Sequence, residues 1–165
     1  MAVADVTAEV ISQALAEREL EFEQLTDAQF AVQLPGDKRL KTTCLLTIGE
    51  HALAVEAFVM RAPDENHLAV YRWMLQHNSK LYGVAWSIDV TGDVYLTGRL
   101  ALSAVSGDEL DRVLGSVLEA ADGSFNTLLQ LGFGTAIKRE WKWRVDHGES
   151  LANLQAFAEF AQKPE

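Results

Sequence analysis

The sequence predicts a protein of the α+β class, with the order helix, three-stranded antiparallel meander, helix, β-hairpin, helix, plus C-terminal helices. Short runs in which apolar and polar residues alternate, bounded by turn-forming residues, indicate the strands. Flanking segments whose apolar residues recur every three or four positions indicate the helices. We expect a single domain over residues 1–165, with its core at 7–131 and a C-terminal helical extension at 135–163.

The first helix is predicted from Asp5 or Thr7 to about Leu20, because its apolar residues share one helical face. Those residues are Val6, Val10, Ile11, Ala14 and Leu15. Acidic residues then cluster over 17–27. Since charge runs are usually solvated, we interpret this segment as a solvated connection, with a groove for a basic ligand as the alternative.

Three strands should follow, joined by turns short enough to make them antiparallel. The first covers Phe30 to Leu34 and stops at Pro35-Gly36-Asp37, and the second covers Leu40 to Ile48. The third places Leu53, Val55, Ala57 and Val59 toward the core, with Phe58 and Met60 pointing the other way.

A central helix is predicted from Glu65 to His77, capped by Asp64 and closed by Asn78 in the left-handed conformation. Its core face should consist of Leu68, Val70, Tyr71, Met74 and Leu75. Trp73 falls among the outward polar positions, beside Arg72 and Gln76. It indicates either a partner surface or a site covered by another segment of the same chain.

A hairpin around Thr91-Gly92 should follow, with Tyr95, Thr97 and Arg99 on its outer side. Ser106 and Glu109 have the spacing of a capping box for the next helix. We expect that helix to break or kink at Asp122-Gly123-Ser124, to continue as a second helical piece over 125–131 and to end at Gly132 and Gly134. A last amphipathic helix is predicted over 150–161.

Composition and motifs argue against several classes of function. A net charge of −10 opposes binding to phosphate backbones or anionic membranes. Four scattered histidines and one cysteine, Cys44, offer no ligand set for a metal, and no catalytic motif is present. We therefore expect no enzyme activity, no metal and no cofactor. A single cysteine, in an apolar run that should bury it as an inert thiol, fits a cytoplasmic protein.

One segment is basic although the chain as a whole is acidic: basic residues and tryptophans are interleaved over residues 138–144. Lys138, Arg139, Lys142, Trp143 and Arg144 form this patch. It could contact single-stranded nucleic acid or an anionic surface. The favoured interpretation is a helix that docks within its own domain, because Ile137, Trp141 and Val145 share one helical face.

The assembled order, with the wording HLAVYRWMLQHNSKLYGVAWSIDVTGDVYLTGRLALSAVSGDELDRVLGSVLEAAD, resembles the YbjN-like family of bacterial sensory transduction regulators. That family is similar to the type III secretion chaperone fold. The likeness covers Thr7 to Leu131, and its specific part is His67 to Asp122. It carries structural signatures, namely a helix ending in Asn78, a strand ending in Asp89 and the turn Gly92-Asp93-Val94, and no catalytic residues.

The resemblance implies a non-enzymatic protein that forms homodimers and binds other proteins, as a chaperone-like module or a regulatory adaptor in signal transduction. Type III chaperones dimerise through the central helix and the adjoining hairpin. The corresponding candidate interface here is Trp73, Arg72, Gln76, Tyr95, Thr97 and Arg99. A small-ligand-sensing domain, with its pocket between sheet and helices, is the alternative.

Overall fold

A six-stranded antiparallel sheet forms the centre of the protein, whose computed structural model describes residues 2–164. The strand order is β1-β2-β3-β4-β6-β5. The strands are β1 (Glu21–Thr26), β2 (Gln29–Pro35), β3 (Lys41–Ile48), β4 (Ala52–Met60), β5 (Ala85–Ile88) and β6 (Val94–Ala101). The α-helices are α1 (Val3–Glu17), α2 (His67–Asn78), α3 (Gly107–Asp146) and α4 (Ala158–Ala161). Short 3-10 helices cover Leu102–Ala104 and Ala152–Phe157.

The core lies on one face of the sheet, which α1 and α3 cover. One row of paired residues crosses five strands and is buried throughout: Val32, Cys44, Ala57, Leu96 and Trp86. Since side chains alternate between faces, the residues between these positions line the opposite face, which no described helix covers. The α+β fold class predicted from the sequence is confirmed, and the sheet is open on one side.

The acidic side chains after α1 are solvated, as predicted, but most of the segment is a strand rather than a connection. β1 pairs with β2 and holds Phe22 against Phe30, with ring centroids 6.2 Å apart. Lys41 Nζ lies 3.0 Å from the Glu21 carboxylate. The segment is hard to recognise because an edge strand exposed on both sides shows no apolar alternation, and its charges discourage pairing with other chains. The meander therefore has four strands.

The end of β4 also differs from its predicted pattern. Val59 and Met60 are both buried, although strict alternation would turn Met60 outward with Phe58. The cause is an irregularity in the pairing with β6, where the register shifts between Phe58 and Met60.

The start and end of α2 depart from the predicted caps. The helix begins at His67, after Asn66 in a left-handed conformation with φ 54°. Asp64 does not cap it and instead pairs with Arg61, at 2.9 Å. Asn78 is still helical, and its side-chain amide exchanges hydrogen bonds with the backbone N–H and C=O of Trp86 in β5.

Helix α3 continues through Asp122-Gly123-Ser124, where a break or kink was predicted, and is kinked instead at Phe133, whose φ of −135° and ψ of 22° are not helical. Its start is the predicted one, since the Ser106 hydroxyl accepts the Glu109 N–H at 3.1 Å. The Asp122 carboxylate does not compete for the backbone of its own helix. It accepts the N–H groups of Lys38 and Arg39, in the connection between β2 and β3, at 2.8 and 2.9 Å.

The connection from β4 to α2 satisfies the backbone groups that the bend at Phe133 leaves free. Gly132 O accepts the N–H groups of Asp64 and Glu65, at 2.9 and 3.2 Å. The Glu65 carboxylate accepts the Thr135 N–H at 2.6 Å and the Thr135 hydroxyl at 2.7 Å, and these bonds lower the pKa of Glu65. We call this set of bonds the kink clasp.

Beyond the kink, α3 docks on its own domain, as the favoured interpretation of the basic segment predicted. Ile137 and Trp141 are buried, and Phe157 of the following 3-10 helix is buried with them. Val145, which was placed on the same face, is exposed. The last helical segment is mostly a 3-10 helix rather than the α-helix expected over 150–161.

Candidate protein-binding surface

Helix α2 presents apolar side chains to solvent beside the edge strand β5. Leu68 and Leu75 are 70% and 72% exposed, although both were predicted to face the core. Only Val70 and Met74 are fully inward, and Tyr71 is half-buried. With Ile88 of β5, the side chains of Leu68, Tyr71 and Leu75 form what we call the α2–β5 surface.

A shallow groove of about 190 Å³ runs along this surface. It lies between the two elements and is lined by Tyr71, Met74, Leu75, Trp86, Ser87 and Ile88. Asn78 fixes the spacing of its walls, because its amide bonds the outer backbone edge of β5 at Trp86. The two apolar walls of the groove are therefore held at a fixed separation.

The charge of this region is unlike that of the whole chain. No Asp or Glu occurs between His67 and Ile88, in a chain that carries 24 acidic residues. The charged side chains of this stretch at pH 7 are Arg72 and Lys80. The residues that line the groove therefore bring no carboxylate of their own to a contact with a second acidic molecule.

Trp73 packs partly against its own chain, in the direction of the second of the two interpretations that its position allowed. Its ring stacks on His77 with centroids 3.7 Å apart and meets Trp86 edge-on at 5.7 Å. The indole is half-buried and packs against the core. The outward face of α2 is thus defined by leucines and not by this tryptophan.

Of the six predicted interface residues, Trp73 is half-buried, and the structure divides the other five between two surfaces. Arg72 and Gln76 are exposed on α2, in the helical layer. Tyr95, Thr97 and Arg99 lie on the uncovered face of the sheet, where Tyr95 meets Phe58 edge-on at 5.6 Å. The exposed leucines of α2 were missed because a helical wheel cannot tell which part of a broad apolar stripe meets the core.

The basic segment is also divided. Lys138, Arg139 and Lys142 line a groove of about 610 Å³ together with Lys163. Arg144 turns away and bonds Glu140 and the Ser150 carbonyl, at 2.7 and 2.8 Å, while Trp143 stacks on His147. Contact of this patch with nucleic acid or an anionic surface stays an alternative hypothesis.

Reactive groups are sparse across residues 2–164. Burial raises the pKa of the Cys44 thiol to about 12, so this thiol is unreactive at neutral pH. No three His, Cys, Asp or Glu side chains in that range gather closely enough to hold a metal ion. None of the described helices combines the length and apolarity needed to cross a bilayer.

Comparison with known proteins decides the family. The model of the YbjN family, described as "Putative bacterial sensory transduction regulator", matches residues 7–130. The chain belongs to the YbjN family. An uncharacterised family relative from Mycobacterium tuberculosis is 59% identical over 127 residues, covering 77% of this chain and 69% of the relative. One from Mycobacterium leprae is 57% identical over 130 residues, covering 79% and 71%.

Solved structures show that this YbjN family chain has the fold of type III secretion chaperones. A chain of the ExsC–ExsE complex matches with a TM-score of 0.59 at 16% identity, covering 78% of this chain and 97% of that one. A chain of the ExoU–SpcU complex from the type III secretion system of Pseudomonas aeruginosa matches with a TM-score of 0.51 at 20% identity, covering 73% and 96%. At these identities the likeness concerns the fold alone.

Proposed function

We propose that this protein is a non-enzymatic, chaperone-like or adaptor-type protein-binding module that acts as a homodimer. The observation that carries the proposal is the α2–β5 surface, where two leucines are more than two thirds exposed and one of them, Leu75, lines a groove beside an edge strand. Burying a leucine contributes about 1.5–3 kcal/mol, so exposed leucines favour association. Solved structures with this fold, the ExoU–SpcU and ExsC–ExsE complexes, each contain two different proteins, which supports the same function.

A second copy is the occupant that fits the α2–β5 surface. Twofold association brings the same patch of each molecule together, which requires a surface compatible with itself. An apolar surface without carboxylates meets that requirement, whereas most of a molecule with a net charge of −10 would repel its copy.

The partner protein would then bind elsewhere, and the uncovered face of the sheet is available for it. This face offers the aromatic ring of Tyr95 and hydrogen-bonding groups at Thr97 and Arg99, while Phe58, at its edge, also lines a groove beside α3. The description of the family supports a role in signal transduction. A cytoplasmic location belongs to the same proposal, and the lone cysteine, typical of reducing compartments, supports it.

The dimer is tested by substituting Leu75 with aspartate. This change places a charge in the apolar contact and removes a leucine that the dimer would bury. We therefore expect the dissociation constant of the dimer to rise about 100-fold or more. Light scattering coupled to size-exclusion chromatography would measure the mass. The matched control is Leu40→Asp, since Leu40 is 84% exposed in the connection between β2 and β3 and should leave the dimer intact. A monomeric wild-type protein, or equal effects of both substitutions, would contradict the proposal.

Partner binding is tested by affinity capture with wild-type protein and the Arg99→Glu variant, followed by mass spectrometry. We expect a protein that the wild type retains and the variant loses. The control is Arg112→Glu, an exposed arginine on α3, in the helical layer. If both variants retain the same proteins as the wild type, the uncovered sheet face is not the partner site.

A further inference from the structure

A second groove lies where β4 ends against the kink of α3. It has a volume of about 420 Å³, within the range of small-molecule sites. Apolar side chains from both elements line it, notably Phe58, Met60, Phe125, Leu129 and Phe133. Its polar side chains are two arginines, Arg39 and Arg61. We call it the Arg39 groove.

Three local features hold the walls of the Arg39 groove apart. The pairing of β3 with β4 stops at Cys44 and Ala57, while β4 continues to Met60. The Phe58 carbonyl beyond that point accepts an Arg39 guanidinium N–H at 2.7 Å in place of a strand neighbour. On the other side, the kink clasp fixes the turn of α3 that carries Phe133. The groove is therefore a built feature of the fold.

The guanidinium of Arg39 is held by a hydrogen bond and by aromatic contacts, but it lacks an anionic partner in the described chain. The Asp122 carboxylate accepts its backbone N–H, and its guanidinium lies over the rings of Phe58 and Phe125, at 5.7 and 5.4 Å from their centroids. Within residues 2–164 the guanidinium forms no ion pair, although the chain carries 24 acidic residues. Burial lowers the pKa of Arg39, as expected for a cation that is partly desolvated without a compensating anion.

Arg61 adds a second positive charge on the opposite wall. Its guanidinium lies 4.1 Å from the centroid of the Phe133 ring and pairs with Asp64 on an exposed edge. A ligand in the groove would thus meet aromatic and aliphatic surface together with guanidinium donors. Arginine recognises carboxylates through two parallel hydrogen bonds.

From this geometry we infer that the Arg39 groove binds a small amphipathic carboxylate, with the carboxylate on Arg39 and the apolar part among Phe125, Leu129 and Phe133. This makes the protein a sensor for such a ligand in addition to a protein-binding module. The inference does not depend on the dimer, because the groove lies between β4 and α3 and shares no lining residue with the α2–β5 groove.

The probe is octanoate, titrated into the ¹⁵N-labelled full chain and followed by NMR, with octan-1-ol as the uncharged comparison. We expect saturable shifts of the backbone amides of Phe58, Phe125 and Phe133, and weaker binding of octan-1-ol. Arg39→Gln should raise the dissociation constant about tenfold or more, because a hydrogen bond to a charged group is lost. Lys38→Gln is the matched control, since Lys38 makes the same backbone bond to Asp122 without lining the groove.

A second variant keeps the test independent of Arg39. Ala136→Phe would fill the groove from an exposed position on α3 and should abolish octanoate binding while the fold is retained. Absence of saturable shifts, equal affinity for octan-1-ol or for inorganic phosphate, or unchanged affinity in both variants would overturn the inference. None of these outcomes bears on the dimer, which is measured by mass.

Discussion

At the scale of single residues, Thr42 places a polar hydroxyl group in an apolar part of the core. Its side chain is fully buried on the core face of β3, opposite Leu34, and its hydroxyl has no hydrogen-bond partner within the described chain. A buried hydroxyl without a partner loses its bonds to water and gains none in return. Thr42 is therefore a local source of instability in an otherwise apolar row.

Thr42→Val should raise the free energy of unfolding by about 1 kcal/mol, because it replaces the unpaired hydroxyl with a methyl group. Thr43→Val is the control, since Thr43 is exposed and its hydroxyl donates to Gln33 at 2.9 Å; its effect should stay within about 0.5 kcal/mol. Urea unfolding measures both. A loss of stability in Thr42→Val would show that its hydroxyl has a partner in solution.

At the scale of elements, two glycines of helix α3 have different roles that the sequence alone does not distinguish. Gly123 is exposed in a straight part of the helix, and a Cβ there would meet nothing within 4 Å. Gly132 is buried at the kink, where a Cβ would lie 2.8 Å from Pro63 Cβ. Gly123 thus weakens the helix locally, whereas Gly132 permits the approach of the kink clasp.

Gly132→Ala should lower the free energy of unfolding by about 1–3 kcal/mol, because Pro63 would be displaced and the clasp bonds strained. Gly123→Ala should raise it by up to about 1 kcal/mol, as alanine favours the helix. Thermal and urea unfolding of the two variants would measure these changes in the free energy of unfolding. Equal effects of the two substitutions would mean that the kink does not depend on close backbone approach.

Elements that bury a regular face could be predicted from the sequence, and those fixed by long-range contacts could not. The core rows of β2, β3 and β4 follow from alternation at Val32, Cys44 and Val55. The missed elements lack such a face: β1 is exposed along most of its length, and the kink depends on Pro63 and Glu65, far from Phe133 in sequence.

The candidate surfaces were only partly predictable, for a related reason. The sequence pointed to the central helix and the hairpin, yet the exposed apolar residues of that helix proved to be Leu68 and Leu75, which were predicted to face the core. The Arg39 groove combines the end of a strand, a loop and a helix kink, none of which leaves a local motif.

At the scale of the whole molecule, charge and apolar surface are separated. The net charge is −10, but the stretch His67 to Ile88 contributes no acidic residue to it. Association through the α2–β5 surface would bring two strongly negative molecules together through a groove whose lining contains no carboxylate. The remaining repulsion is long-ranged and therefore sensitive to salt.

We expect the proposed dimer to tighten as sodium chloride is raised, because the Debye length falls from about 10 Å at 0.1 M to about 3 Å at 1 M and screens that repulsion. Sedimentation of diluted protein at several salt concentrations measures the dissociation constant. The Leu75→Asp variant should remain weakly associated at every concentration. Dissociation by salt would instead indicate an interface held by ion pairs.

The length and position of α3 also matter while the protein is being synthesised. The last strand ends at Ala101, and the helix that covers the sheet begins at Gly107 and reaches its kink at Phe133. A ribosome therefore releases all six strands before the chain that shields their apolar face is complete. Nascent chains truncated before Gly107 should expose the part of that face that α3 covers, and chains truncated before Phe133 should leave the connection at Pro63 unfastened, so that both are recognised by chaperones and proteases.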